Sequence, residues 1–100
     1  MLTLDKAKLF LRIDTEEEDA LIQSLINSAV EYIDTATGMT RDAQETEPLA
    51  ETLQSYLVMG WYLRDNYDEQ TDKVIESLTK TLKAKVMTNG TKTQDGTKDL

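Results

Sequence analysis

Apolar residues recur along this chain at three- and four-residue steps, in four blocks divided by polar breaks. Leu4, Ala7, Phe10 and Leu11 mark a short amphipathic helix that Thr3 or Asp5 can begin. Arg12-Ile13-Asp14-Thr15 interrupts it. The acid run Glu16-Glu17-Glu18-Asp19 opens a second helix. There Thr15-x-x-Glu18 fits a capping box, and the carboxylates oppose the positive end of the helix dipole. The apolar side, from Leu21, Ile22, Leu25 and Ile26 through Ala29, Val30, Tyr32 and Ile33 to Ala36, covers about half the circumference. One packing surface requires only a ~100° stripe, so this helix is predicted to touch more than one neighbour. Gly38 supplies the left-handed residue that ends it.

Met39 to Glu47 reads as a polar connection without periodicity. Pro48 suits the first turn of a third helix, with Thr46 as its cap. Leu49, Leu53, Tyr56, Leu57, Gly60, Trp61, Arg64 and Tyr67 share one face of that helix, and Val58, Met59 and Tyr62 form a second apolar surface. Nothing is charged between Tyr56 and Leu63. A helix apolar nearly all round is buried on most sides, which predicts a central helix whose spare side meets another subunit. Gly60 costs about 1 kcal/mol against alanine in a helix interior, so it predicts a close approach by another backbone. Asp72 caps a fourth helix striped by Val74, Ile75, Leu78, Leu82 and Val86, with Lys80, Lys83 and Lys85 in its last turns. Residues 88–100 contain one apolar residue, Leu100, and are predicted to be a flexible polar tail. The expected fold is therefore all-α: one domain over 1–87, built as a bundle of helices near 4–12, 16–37, 48–66 and 72–87, followed by the tail.

Composition narrows the chemistry. The 100 residues include no cysteine and no histidine, which removes disulfides, thiolate metal sites and the commonest general base. Four consecutive acids on a helix point in different directions and do not converge on one cation. Asp65, Asp68, Glu69 and Asp72 lack the spacing of a calcium loop. No phosphate-cradling glycine loop or nucleophile–base pair appears, so no catalytic residue, metal or cofactor is expected. No apolar run approaches the ~20 residues that span a bilayer, and the first residues lack the pattern of a signal peptide. These features predict synthesis in a cytoplasm and no membrane.

Charge is uneven. Residues 1–72 carry 16 acidic and 5 basic residues, whereas residues 73–100 carry 3 acidic residues and 6 lysines, for a net charge of −8. An acidic body opposes a nucleic-acid grip, which requires clustered lysine and arginine. The basic segment suits either an acidic partner, including a neighbouring copy, or the complement of a helix C-terminus. Arg64, on the main apolar face, suits an architectural pairing within or between subunits, or a position snorkelling to solvent.

Two blocks of residues resemble a known family. The first is Leu4-Asp5-x-x-Lys8-x-x-Leu11-Arg12-Ile13-Asp14, followed by Glu17-Glu18-Asp19-x-Leu21-Ile22 and Ala29-x-x-Tyr32-Ile33 before Gly38. The second is Leu57-x-x-Gly60-Trp61-Tyr62 with Arg64 just beyond, although in much of the family the arginine sits one position further on. In order and spacing these resemble the small head–tail connector, or adaptor, proteins of tailed bacteriophages, over about residues 2–87. The resemblance implies a structural protein of the virion, assembled in the bacterial host. It implies a homo-oligomeric ring, commonly of about twelve subunits, under the portal protein. Such a ring extends the DNA channel without sequence-specific binding and receives a stopper or tail-completion protein. On this reading Leu25, Ala29, Tyr32, Leu57, Val58, Met59, Gly60, Trp61, Tyr62 and Arg64 are the candidates for core and inter-subunit contacts. The competing expectation is a small acidic helical regulator or inhibitor, such as a DNA mimic encoded by a mobile element.

Overall fold

The computed structural model describes residues 1–63 and 69–98, with side chains for 1–63 and 69–88. Five helices follow in order: α1 Leu4–Leu11, α2 Asp19–Thr37, α3 Arg41–Gln44, α4 Pro48–Leu63 and α5 Glu69–Lys98. There is no strand among the described residues. α2 and α4 pack on each other and on every other helix. α1 and α5 each pack on this pair and, among the described residues, do not touch each other.

Local chemistry sets the helix ends. Thr3 caps α1, its hydroxyl accepting from the Lys6 N–H at 3.2 Å. Arg12 ends it in the left-handed region, φ 61°, where its N–H donates to Leu9 O and the Ile13 N–H donates to Lys8 O. This is the Schellman arrangement, occupied here by arginine in place of the usual glycine. Gly38 closes α2 as expected, with φ 85° and its N–H donating to Asp34 O at 2.8 Å.

Four details of the helix limits depart from the sequence expectation. α2 begins at Asp19, and the Thr15–Glu18 capping box does not form. The Glu18 carboxylate accepts from the Tyr62 hydroxyl, so it is not spent on the Thr15 N–H, and Glu16 to Glu18 form a turn ahead of the helix. Glu47 takes the capping role assigned to Thr46: its carbonyl accepts from Ala50 N–H and its carboxylate from Leu49 N–H. The connection 39–47 contains α3, whose first turn is held by Thr40 accepting from the Ala43 N–H. α5 starts three residues before the predicted position and its backbone stays helical to Lys98, past the expected end at 87. Proline is absent from that stretch, and Gly90 and Gly96 cost only about 1 kcal/mol each.

The core lies between α2 and α4. Ile22, Ile26, Ala29, Val30 and Ile33 of α2 meet Ala50, Leu53, Leu57 and Val58 of α4, with Leu2, Ala7 and Leu82 closing the sides. The wide apolar face of α2 is thereby divided. Its centre is buried, while Leu21 and Tyr32 on its margins stay 47% and 42% exposed.

Two glutamines are as deeply buried as the leucines: Gln44 and Gln54 each have 0% exposure. Burying an amide without partners is costly, and here nearly every polar atom has one. The Leu2 N–H donates to Gln54 Oε1 at 2.8 Å, and Gln54 Nε2 donates to Gln44 Oε1 at 2.8 Å. Gln44 Nε2 in turn donates to the carbonyls of Val30 at 3.0 Å and Met39 at 2.9 Å. The chain ties the N-terminal segment, α2, α3 and α4 together in one corner.

Gly60 faces α5, and a methyl group there would meet only Ile75 Cδ1 and Thr71 Cγ2, each at 3.9 Å. Side chains at ordinary contact distance, not a backbone, occupy its surroundings. The expected close backbone approach is therefore corrected.

Candidate functional site

Among the described residues no group of three or more carboxylates is placed to hold a metal ion, and several carboxylates are engaged with cations. Asp19 meets Lys8 at 2.7 Å, Glu51 meets the N-terminal amine at 3.1 Å and Lys6 at 3.3 Å, and Glu47 meets Lys85 at 2.8 Å. Their titration follows from those partners. The Lys85 ammonium holds Glu47 below the usual glutamate value, helped by the Leu49 N–H and opposed by partial burial. The N-terminal ammonium, with Lys6, lowers Glu51 in the same way. The Glu18 carboxylate raises the Tyr62 phenol, because it accepts a hydrogen bond from the neutral hydroxyl and its negative charge opposes a phenolate beside it. These are ties between elements: Lys85–Glu47 fastens α5 to the start of α4, and Tyr62–Glu18 fastens the end of α4 to the turn before α2.

What the subunit leaves open is apolar surface. Tyr32 and Trp61 stack edge to face with centroids 6.2 Å apart, Tyr32 exposed and Trp61 half-buried. Tyr32 also borders an open groove of about 460 Å³ between α2 and α5. Half-buried Ala36, Ile75 and Thr79 lie along it, with exposed Asp72 and Glu76 towards one end and Lys80 and Lys83 towards the other. Elsewhere, α1 displays Leu9 at 80% exposure and Phe10 at 45%, the ring of Phe10 lying edge-on to Tyr56 at 6.3 Å.

The ten candidate residues divide accordingly. Ala29, Leu57, Val58 and Gly60 are buried within the subunit. Leu25, Met59, Trp61 and Tyr62 are half-buried, Tyr32 is exposed, and Arg64 lies outside the described residues. Sequence reasoning placed Phe10 on the apolar stripe of the first helix and did not single out Leu9. The signal was present: Leu9-Phe10-Leu11 are three consecutive apolar residues on an eight-residue helix, and they cannot all face one core. Nor did it find Gln44 and Gln54, whose polarity alone predicts exposure.

The described residues thus form a helical domain without strands, whose polar side chains fasten helices and which leaves apolar side chains exposed. Residues 1–95 match the family model of the phage gp6-like head-tail connector protein. The chain belongs to this family of structural head–tail connectors. Neither a curated protein nor a solved structure matches it. Among the described residues no helix is long and apolar enough to cross a membrane.

Proposed function

We propose that this chain is the head–tail adaptor of a tailed bacteriophage or prophage, and that copies of it form a ring beneath the portal. The ring, of about twelve subunits, extends the DNA channel and gives the stopper or tail-completion protein its platform. The family match across residues 1–95 carries this reading. Surface chemistry supports it. Leu9, Phe10, Leu21 and Tyr32 leave more large apolar side chain in solvent than a lone domain needs, as lateral contacts require. The acidic body, net −8, suits a channel through which DNA passes without being held. Function resides in these surfaces, with no catalysis and no cofactor. Residues 1–87 act as the connector body, and 88–100 form an extension beyond it.

The test is association with portal-bearing particles, followed by light scattering or native mass spectrometry and by imaging of the head–tail junction. Several copies per portal, arranged in a ring, are expected. One-to-one capture of a polymerase, nuclease or repressor, without binding to portal particles, would overturn the proposal in favour of an acidic inhibitor.

A further inference from the structure

Two apolar surfaces, on helices that do not touch each other, border charges of opposite sign: acids beyond the end of α1, past exposed Arg12, and lysines at one end of the α2–α5 groove. At the end of α1, exposed Leu9 and Phe10 lead into the turn holding Asp14, Glu16 and Glu17, all exposed and without an ion pair among the described residues. On the α5 side, the groove beside Tyr32, Ile75 and Thr79 carries Asp72 and Glu76 at one end and Lys80 and Lys83 at the other, and only the lysine end complements those acids. Lys83 makes no ion pair among the described residues, and Lys80 reaches only Glu76, at 3.8 Å with both side chains mostly exposed. Such a pair on the surface is worth little and is readily exchanged for another.

We propose that neighbouring copies meet head to tail: Leu9 and Phe10 of one copy enter the α2–α5 groove of the next, and the acid turn meets Lys80 and Lys83. This contact rests on the ring reading above and gives it a specific interface. A two-fold contact would join acid turn to lysines only if each copy presented both surfaces at one interface, and α1 and α5, which carry them, do not touch each other. A contact between two different surfaces of one subunit leaves a free copy of each surface at the ends, so it continues from copy to copy and closes into a ring when the rotation permits. The second copy is therefore the occupant that the charges select.

Charge reversal separates the possibilities. Lys80→Glu/Lys83→Glu and Glu16→Lys/Glu17→Lys alter exposed positions only, so both variants keep the helical circular dichroism of the parent chain. Each alone loses self-association, measured by sedimentation and by copies bound per portal particle, by about tenfold or more. An equimolar mixture recovers it, since each variant's altered surface then meets its complement on the other. The chain has no cysteine, so a Leu9→Cys/Thr79→Cys variant provides a second readout. It gives a disulfide ladder of several copies on oxidation, whereas Leu9→Cys alone stops at dimers. If the parent assembles but neither charge variant loses assembly and no ladder appears, this interface is wrong while the ring reading stands. If the parent fails to self-associate with or without portal particles, the ring reading itself falls, and this contact with it.

Discussion

The two ends of α4 follow opposite rules. Its first half buries a polar side chain, Gln54, completely, while its last turn leaves the aromatic Trp61, packed on the edge of the core, only partly covered. At the first end, polar atoms find partners on several other segments and act as core. At the second, apolar atoms exceed what α2 and α5 can cover and act as surface. On the proposed ring reading, fold specification and assembly are thus separated along one helix of sixteen residues. Hydropathy alone assigns both ends backwards. A polar residue in a bundle is structural when its donors and acceptors are matched, and an apolar one is available for function when the subunit is too small to cover it.

The largest expected effect lies at the polar end. Gln54→Ala leaves the Leu2 N–H and Gln44 Oε1 buried without a partner and removes packed volume. Each orphaned group costs about 1–3 kcal/mol, so urea denaturation should show a loss of roughly 2–5 kcal/mol. A loss below about 1 kcal/mol would mean that water replaces the amide and that the corner is not core.

Trp61→Ala probes the other end. The ring is half-buried, so unfolding stability should fall by only about 1–2 kcal/mol, with helicity retained. Copies bound per portal particle should fall much further. Equal loss of stability and assembly would erase the distinction between the two ends.

The sequence made most of the frame legible, for a physical reason: three- and four-residue apolar spacing has few solutions in a short chain. It located α1, the body of α2, α4 and α5, and it identified Gly38 as a terminator because few residues accept a positive φ. It did not locate α3, whose four residues are too short for periodicity. It misplaced the caps at Thr15 and Thr46 because competing partners, Tyr62 for Glu18 and Lys85 for Glu47, are distant in sequence. The same reason hid the Gln44–Gln54 bond, which joins residues ten apart on different helices. Of the surface, Tyr32 and Trp61 were legible as apolar excess. Which apolar residues remain outside depends on how two helices divide a wide face, and no local pattern encodes that.

Acid titration sharpens the first end of α4. Glu47 is depressed by Lys85, so its contribution is present above its ordinary value of about 4.5 and is lost as pH falls through the lower, folded value. Thermal melts from pH 6 to pH 3 should show this loss, diminished in Lys85→Met. An unchanged acid profile in that variant would remove the tie between α5 and the α3–α4 corner.

The smallest effect has the opposite sign. Gly60→Ala places a methyl at ordinary contact distance from Ile75 and Thr71 and removes a helix-interior glycine. Stability should rise by about 0.5–1 kcal/mol, with assembly unaffected. Destabilisation would show that α4 and α5 approach more closely than 3.9 Å allows.

The central claim is that this chain works as a repeated structural subunit through its outer surfaces. Counting the copies bound to a single portal by native mass spectrometry tests it most directly. Several copies in one discrete assembly, lost in Trp61→Ala while the monomer stays folded, is the predicted result. A lone copy per portal, or no binding by a folded chain, would contradict it.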